Sequence, residues 1–296
     1  MIITRLNGGL GNQLFQYAIG RKMSFLTKEP LAFDISAYDV KGVGIFRRDY
    51  SLSHFNTHAR VLDPKESAAA RNPYGIFSRI SRGFREKVLR RFHAGYEPEI
   101  LEKRGPMYLE GFWQSERYFL DIRPVILEEL TLKDGFSPEA KKVADMMADP
   151  ALLGDRIPVS LHVRRGDYAY SEATKKHHGL MGQEYYSKAL RYVAENAPRN
   201  PGGLKVFVFS DDIVWVKENI KVDHDVFYVS ELKLPDYEEM RLMSLCRHHV
   251  IANSTFSWWG AWLDTGPDKI VVAPQGWVVG NILTPDEILP PSWIRM

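Results

Sequence analysis

Residues 157–168 read IPVSLHVRRGDY, a mostly apolar run that ends abruptly in two arginines and an aspartate. An unbroken apolar run of this length is typical of a strand that is covered on both faces of a parallel sheet. Arg164, Arg165 and Asp167 therefore follow the point where the predicted strand stops. Ligands of open parallel sheets bind beyond the carboxyl ends of the strands. The stretch thus predicts an α/β fold and a site for a charged ligand.

The second half of the chain alternates short apolar runs with helical patterns. Predicted strands at 204–209 and 250–252 alternate with predicted helices at 183–196 and 236–248. This alternation is typical of parallel βαβ units. The second half is therefore predicted to be a doubly wound α/β domain.

The first half begins in the same way and then becomes irregular. A strand-like stretch at 1–6 leads into the glycine-rich turn NGGLGN at 7–12 and then a long helical pattern. Proline, glycine and aspartate cluster near 150–157, where we place a domain boundary. The expected domains are residues 1–155 and 156–296, with the final residues packing back on the first domain.

Composition narrows the class of protein. The formal net charge is +2, from 39 basic and 37 acidic residues among 296, so nothing drives the whole chain toward nucleic acid. The single cysteine, Cys246, rules out an intramolecular disulfide and suits a reducing compartment. The sequence shows neither a signal-peptide pattern nor an apolar run of about 18 residues. We therefore expect a cytoplasmic protein.

Four predicted strand ends carry concentrated polar or glycine residues, and three of them belong to the second domain. They are NGGLGNQ (7–13), HVRRGD (162–167), SDD (210–212) and NSTFSWW (253–259). Arginine presents a fork of donors that matches phosphate oxygens. The free N–H groups at a helix start capped by Ser254 or Thr255 also favour an anion. The SDD carboxylates can accept hydrogen bonds from a base or a ribose.

Each cluster also has a plain structural interpretation. Arg164, Arg165 and Asp167 can form an ion-pair cluster, SDD can be a helix cap, and the glycines can simply end a strand. The familiar nucleotide motifs are incomplete, since Leu14 replaces the third glycine of GxGxxG and no P-loop is present. The DHD at 223–225 precedes a predicted strand, so we read it as a turn rather than a metal site. The convergence of four strand ends is what favours a ligand site.

Four motifs together resemble a known family. GGLGNQLFQYA (8–18), HVRRGDY (162–168), FSDD (209–212) and NSTFSWWGAWL (253–263) resemble the bacterial α-1,2-fucosyltransferases of glycosyltransferase family 11. The resemblance implies a GT-B-type α/β fold, with two Rossmann-like doubly wound domains facing across a cleft. It implies inverting transfer of L-fucose from GDP-fucose to the 2-hydroxyl of a terminal galactoside, with no metal or cofactor. It places the donor in the second domain and a galactose-terminated oligosaccharide, free or lipid-linked, in the first.

The HVRR element is also similar to that of α-1,6- and protein O-fucosyltransferases. By that resemblance His162 contacts the guanosine part, Arg164 contacts the diphosphate, and Arg165 and Asp167 brace the site. The donor-binding residues carried over by the resemblance are Gly9, Gly11, Asn12, His162, Arg164, Arg165, Ser210, Asp211, Asp212, Asn253, Ser254, Thr255 and Phe256. Within this set, either Asp211 or Asp212 is expected to recognise guanine, and Ser254 and Thr255 to bind phosphate.

The catalytic assignments also come from the resemblance. Glu172 has the same spacing from His162 as the glutamate of the α-1,6 enzymes, which makes it the hypothetical general base. Asp167 and the pair His177 and His178 remain alternatives. Arg164 is expected to stabilise charge on the leaving group, and Asn12 to lie near the donor sugar.

Two other classes of function stay open. The chain can be an inverting transferase for another sugar nucleotide or linkage. It can also be a non-catalytic glycan or lipid-surface binding protein, since residues 76–93 predict a basic amphipathic helix. That basic face is either a solvated surface or a peripheral contact with the inner membrane. A nucleic-acid partner is not expected, because no basic stripe with interleaved aromatic residues is present.

Overall fold

The computed structural model describes residues 1–39, 48–71, 96–165, 181–198, 201–277 and 284–296. The chain divides into two compact units, Met1–Lys133 and Asp134–Met296. Within the described residues each unit holds one sheet, of four strands in the first and six in the second. Every pair of neighbouring strands in both sheets is parallel, which confirms the predicted α/β class.

The first unit is built around strands in the order β3-β2-β1-β4. The strands are β1 (Ile2–Arg5), β2 (Leu31–Asp34), β3 (Arg60–Val61) and β4 (Met107–Leu109). The helices are α1 (Leu10–Thr27), α2 (Pro64–Arg71) and α3 (Arg123–Glu129). Short 3-10 turns fill Leu52–His54, Pro98–Glu102, Glu116–Tyr118 and Leu120–Ile122.

Helix α1 is fixed by buried polar contacts as well as by its apolar face. Gln13, Gln16 and Tyr17 are fully buried on it. The Tyr17 hydroxyl and the guanidinium of Arg21 both donate hydrogen bonds to the carboxylate of Glu129, at the end of α3. A buried carboxylate is tolerated where charged and polar donors satisfy its oxygens. This anchor holds α1, and hence the glycine-rich turn before it, in a defined position.

The second unit is built around strands in the order β10-β9-β8-β5-β6-β7. The strands are β5 (Ile157–Val163), β6 (Leu204–Ser210), β7 (Asp225–Tyr228), β8 (His248–Val250), β9 (Val271–Ala273) and β10 (Ile294–Arg295). The helices are α4 (Pro138–Ala148), α5 (Pro150–Leu153), α6 (Gln183–Asn196), α7 (Ile213–Asn219), α8 (Asp236–Met243), α9 (Thr255–Leu263) and α10 (Pro285–Ile288). A 3-10 turn covers Val229–Leu232.

Different helices pack on the two faces of the second sheet. Val159, Leu161 and Val163 share one face with residues of α6 and α7 in a single apolar cluster. Successive side chains alternate between faces, so Ser160 and His162 point to the other one. There they are paired in register with Phe207 and Phe209, which pack with α4, α5 and α8. The strand ends of β5 and β6 are thus held by packing on both sides.

Several predicted boundaries differ from the structure. Residues 134–155 belong to the second unit, so the boundary lies before the expected break at 155. The reason is that α4 packs in one apolar cluster with β6 and α8. The final residues form β10, which pairs with β9 in the second sheet.

The predicted helix 236–248 was too long and the strand at 250–252 began too late. Helix α8 ends at Met243 and β8 already starts at His248. The helical spacing of Leu242, Cys246 and His249 was misleading, because His249 is a strand residue whose buried ring is satisfied by hydrogen bonds. Cys246 is buried, as expected of a core residue.

Candidate functional site

The ends of β5 and β6 bring two charged residue pairs together in the second unit. Arg164 Nη1 lies 2.5 Å from Asp211 Oδ2. The backbone N–H of Arg165 donates a 2.9 Å hydrogen bond to Asp211 Oδ1. Asp211 therefore engages the β5 end through both of its oxygens. The guanidinium of Arg164 is held at the strand end, where the sheet geometry places a ligand.

Arg165 points to a different neighbour from Arg164. Its Nε lies 3.5 Å from Asp212 Oδ2, and its guanidinium carbon is 3.7 Å from the centre of the Trp215 ring. Asp212 also caps α7, since its Oδ1 accepts a 3.2 Å hydrogen bond from the backbone N–H of Trp215. An arginine over an aromatic face gains from both dispersion and cation–π attraction. Arg165 and Asp212 thus act as a brace between β5 and α7.

His162 lies beside these pairs with its ring almost fully buried. The centres of the His162 and Phe256 rings are 5.6 Å apart. Burial lowers the pKa of His162 well below its ordinary value. The negative charge of Asp211 opposes this shift, and the positive charge of Arg164 adds to it. His162 is therefore neutral at neutral pH. Its Nδ1 finds no hydrogen-bond partner among the residues that the structure describes, which leaves a polar atom for a ligand to satisfy.

Helix α9 begins next to His162. Ser254 is its N-cap and accepts a 3.3 Å hydrogen bond from the backbone N–H of Phe256. Asn253 and Ser254 are buried and Thr255 is half-buried at this start. Because Phe256 contacts the His162 ring, the N-terminus of α9 and the end of β5 lie at one place. The first N–H groups of a helix carry partial positive charge, so this place favours an anion.

Ser230 and Glu239 belong to the same edge of the sheet, although no sequence motif pointed to them. Ser230 Oγ accepts a 3.0 Å hydrogen bond from the backbone N–H of Ser210. Burial raises the pKa of Glu239 to about 7. Its hydrogen bond with Ser230 opposes this shift, and the negative charges of Asp236 and Asp211 add to it. One signal was present in the sequence, because α8 is the next α-helix after β7, the strand that pairs with β6 and so ends near SDD. Acidic residues at a helix start are ordinarily explained by the helix dipole, so this pattern does not single out Glu239.

The first unit holds the remaining predicted residues that are described. Gly9 is the N-cap of α1, and Gly11 and Asn12 lie in its first turn. Asn12 Oδ1 accepts a 3.0 Å hydrogen bond from Gln114 Nε2. Gly8 has φ 77°, and a Cβ there would approach Asn12 Nδ2 to 2.7 Å, so the turn requires glycine. The turn and Asn12 are therefore fixed by local geometry.

Some predicted residues lie outside the described residues. They are Asp167, Glu172, His177, His178 and the basic helix predicted at 76–93. The roles assigned to them stay predictions. Among the described residues the structure brings together His162, Arg164, Arg165, Ser210, Asp211 and Asp212, with the start of α9.

This arrangement is suited to a phosphorylated ligand with an aromatic or polar head. It offers an arginine fork and a helix start for anionic oxygens, a neutral imidazole, and carboxylates that accept hydrogen bonds. These groups stand at the carboxyl ends of parallel strands, where nucleotides bind in doubly wound folds. The fold and the site together are typical of α/β proteins that bind a nucleotide.

Comparison with known proteins identifies the class more closely. Residues 100–296 match the family model of Glycosyl transferase family 11. An α-1,2-colitosyltransferase of Escherichia coli is 34% identical, over 100% of this chain and 99% of that protein. The O-antigen biosynthesis glycosyltransferase WbnK of Escherichia coli is 30% identical, over 98% of this chain and 99% of that protein. Human galactoside α-(1,2)-fucosyltransferase 1 is 27% identical, over 97% of this chain and 73% of that protein.

Solved structures share the fold at low identity. A crystal structure of NodZ α-1,6-fucosyltransferase soaked with GDP-fucose has a TM-score of 0.50 at 16% identity, over 88% of this chain and 91% of that one. A mutant of Arabidopsis thaliana FUT1 in complex with GDP has a TM-score of 0.50 at 14% identity, over 98% of this chain and 72% of that one. The protein is a glycosyltransferase with a GT-B-type fold of Rossmann-like domains. The chain belongs to glycosyltransferase family 11.

Proposed function

We propose that this enzyme transfers L-fucose from GDP-fucose to the 2-hydroxyl of a terminal galactoside, with inversion and without a metal ion. The observation that carries the proposal is the pairing of Arg164 with Asp211 beside neutral His162, at the start of α9. The names of the relatives, α-1,2-fucosyl- and colitosyltransferases, support the linkage. The acceptor is a glycan with terminal galactose, of the kind that O-antigen biosynthesis supplies.

The first chemical task is to stabilise the departing GDP. Negative charge builds on the β-phosphate as the bond to the anomeric carbon breaks. We assign the stabilisation of this charge to Arg164 and to the N–H groups at the start of α9, which lie at the same edge of the sheet. Preorganised donors of this kind reduce the barrier because they need no reorganisation during the reaction. In this proposal they do the work that a divalent cation does in other transferases.

Recognition of the nucleotide falls to the neighbouring polar groups. Neutral His162 has a ring nitrogen open to a hydrogen bond from or to the nucleoside. Asp211 already contacts Arg164 and the backbone N–H of Arg165, and Asp212 caps α7. If either one recognises guanine, one of its carboxylate oxygens must accept from both guanine and its present partner. Glu239, with its raised pKa, is a further carboxyl at this edge for the base or ribose.

The second chemical task is to remove the proton of the attacking hydroxyl. The proposal assigns this step to Glu172, by its spacing from His162. A general base of this kind contributes about 10²- to 10⁴-fold. The variant Glu172→Gln should therefore lower kcat by that factor and leave the Kd of GDP unchanged. A near-normal kcat in Glu172→Gln would remove Glu172 from the role and leave Asp167, His177 and His178 as candidates.

A second donor, GDP-colitose, is favoured by one observation. The relative that is 34% identical over the whole chain is named as a colitosyltransferase. Colitose is fucose without its 3-hydroxyl, so a site that hydrogen-bonds this hydroxyl discriminates strongly and an apolar site does not. Comparing kcat/KM for the two donors decides between them. A ratio in favour of GDP-colitose by 10-fold or more would reassign the donor.

Contact with a membrane-bound acceptor is the remaining part of the proposal. Within the described residues, no helix is both long and apolar enough to cross a bilayer. The basic helix predicted at 76–93 would instead lie on an anionic surface. Charge reversal at Arg82 and Arg85 should then release the protein from anionic vesicles. If the wild-type protein does not bind anionic vesicles, the proposed membrane contact is wrong.

The test of the whole proposal is incubation with GDP-fucose and a panel of galactosides, with and without EDTA. The expected result is a fucosylated product in both conditions, and none with UDP-sugars. Loss of turnover on EDTA treatment, restored by Mg²⁺ or Mn²⁺, would contradict the metal-independent mechanism. Absence of both transfer and slow donor hydrolysis would contradict the proposed reaction.

A further inference from the structure

A second polar cluster lies buried under helix α9, away from the strand ends. Ser160 on β5, His249 on β8 and Asp264 after α9 are all nearly inaccessible to solvent. His249 Nδ1 lies 2.8 Å from Ser160 Oγ, and His249 Nε2 lies 3.0 Å from Asp264 Oδ2. Ser160 and His249 are partners in register between the two strands. The cluster is therefore a continuous hydrogen-bonded chain across three structural elements.

The direction of the hydrogen bonds follows from the chemistry of the groups. The carboxylate of Asp264 only accepts, so His249 Nε2 carries the proton and Nδ1 accepts from the Ser160 hydroxyl. Burial lowers the pKa of His249, which keeps the ring neutral in this tautomer. Burial opposes ionisation of Asp264, but its hydrogen bond with His249 and the nearby charges hold its pKa below the ordinary value.

At the Asp264 end, the hydrogen-bonded network caps the C-terminus of α9. Asp264 is the C-cap residue, and its Oδ1 accepts a 2.7 Å hydrogen bond from the backbone N–H of Gly266. The ammonium of Lys269 donates to the carbonyl oxygens of Ala261 and Asp264, each at 2.6 Å. The last turn of α9 is thus bound tightly to the network, and the helix has little freedom to slide or rotate.

The same elements carry the groups proposed to hold the diphosphate. Ser160 precedes His162 on β5, Arg164 follows the end of this strand, and His249 precedes the turn at 251–254 that starts α9. The helix has nine residues, or about 13 Å of length, so tilting its C-terminal end displaces the N–H groups at its start. The network therefore fixes the distance between the two anion-binding elements, Arg164 and the α9 N-terminus.

We propose that His249 is a positioning residue for the diphosphate of the donor, acting through Ser160 and Asp264 on the start of α9. This inference rests on the proposed function, since it presumes that a nucleoside diphosphate binds there. A buried Ser-His-Asp chain that served stability alone would affect all ligands equally. A positioning role instead affects the terminal phosphate, which contacts both elements, more than the nucleoside.

The test compares binding of GDP and GMP, together with kcat, in matched variants. His249→Leu removes both hydrogen bonds, and His249→Gln retains one donor and one acceptor. Val193→Ala is the stability control, because Val193 packs in the apolar cluster on the opposite face of the sheet. We expect His249→Leu to weaken GDP binding about 10-fold and to lower kcat at saturating donor, as misplaced groups do. GMP binding should change less than about twofold, and His249→Gln should recover most of the loss.

Each result supports or overturns the inference. Equal weakening of GDP and GMP in His249→Leu, or the same pattern in Val193→Ala, would show a purely structural role. If His249→Leu does not fold, Ser160→Ala decides, with an expected loss of about threefold for GDP alone. Unchanged GDP affinity and kcat in Ser160→Ala would overturn the inference. A wild-type chain that binds neither nucleotide would overturn the proposed function and this inference with it.

Discussion

The ion pair between Arg164 and Asp211 makes a quantitative prediction about nucleotide binding. The Arg164 and Asp211 side chains are only 17% and 25% exposed, so solvent screens their charges incompletely. Replacing Arg164 by alanine removes the guanidinium fork from the diphosphate. It also leaves the Asp211 carboxylate without its ion pair, with the backbone N–H of Arg165 still donating to it, close to the proposed diphosphate site. Both effects weaken GDP binding, and they can be separated.

The expected magnitudes follow from these contacts. Charge-assisted hydrogen bonds contribute about 1.5–3 kcal/mol, so their loss should raise the Kd of GDP roughly 10- to 150-fold. Two like unit charges about 10 Å apart repel by roughly 1–2 kcal/mol at an intermediate dielectric constant, and we take this value for Asp211 and the phosphate. Substituting Asp211→Asn in the Arg164→Ala background removes this second effect. The double variant should therefore bind GDP roughly 5- to 30-fold more tightly than Arg164→Ala alone.

Both effects can be measured by isothermal titration of GDP into the wild type, Arg164→Ala, Asp211→Asn and the double variant. Asparagine at position 211 keeps an oxygen for the backbone N–H of Arg165, so the single variant Asp211→Asn controls for the fold at the β5 end. Fucosyl transfer by Arg164→Ala should fall further than GDP affinity, since charge on the leaving group is also lost. Wild-type GDP affinity in Arg164→Ala would refute the assignment. A double variant no better than Arg164→Ala would refute the role of Asp211.

Three further predictions concern neighbouring groups. Because the pKa of Glu239 is raised from 4.5 to about 7, the folded state holds a proton that the unfolded state has lost, and stability should fall as pH rises through that window. Glu239→Gln should flatten this fall, which is at most about 3 kcal/mol, in urea unfolding at several pH values. Trp215→Leu removes the ring under Arg165 and should cost about 0.5–2 kcal/mol of stability in the same assay. Ser254→Ala should lose about 1 kcal/mol of stability as the α9 cap is removed, whereas Ser254→Asp keeps the cap but should weaken GDP binding about 10-fold by placing a negative charge there. Equal GDP affinity in Ser254→Asp and wild type would place the diphosphate elsewhere.

The sequence was sufficient to predict that the polar strand ends meet, because parallel strands end at one edge of a sheet. The apolar run at 157–163 and the run at 204–209 are neighbours in the second sheet, so their terminal residues meet whatever the details of the loops. The motif residues Arg164 and Asp211 could therefore be selected separately from the pattern of strand ends. Their direct contact is a result of the structure, since register and side-chain direction decide it.

Other features depend on contacts that no local pattern contains. Glu239 has a raised pKa mainly because it is buried, and tertiary packing decides that burial; the charges of Asp236 and Asp211 add to the shift. His249 was assigned to a helix because its spacing from Leu242 and Cys246 is helical, although backbone pairing with β5 makes it a strand residue. The domain boundary moved because α4 packs on β6 and α8, and such packing is not visible in composition.

The most direct test of the central claim is the anomeric configuration and linkage of the product. GDP-β-L-fucose and a β-galactoside acceptor are incubated with the enzyme, and the purified product is analysed by two-dimensional NMR. We expect an α-L-fucosyl residue whose anomeric carbon is joined to the 2-oxygen of galactose. A β-configured product would contradict inversion, and attachment at any other hydroxyl would contradict the proposed linkage.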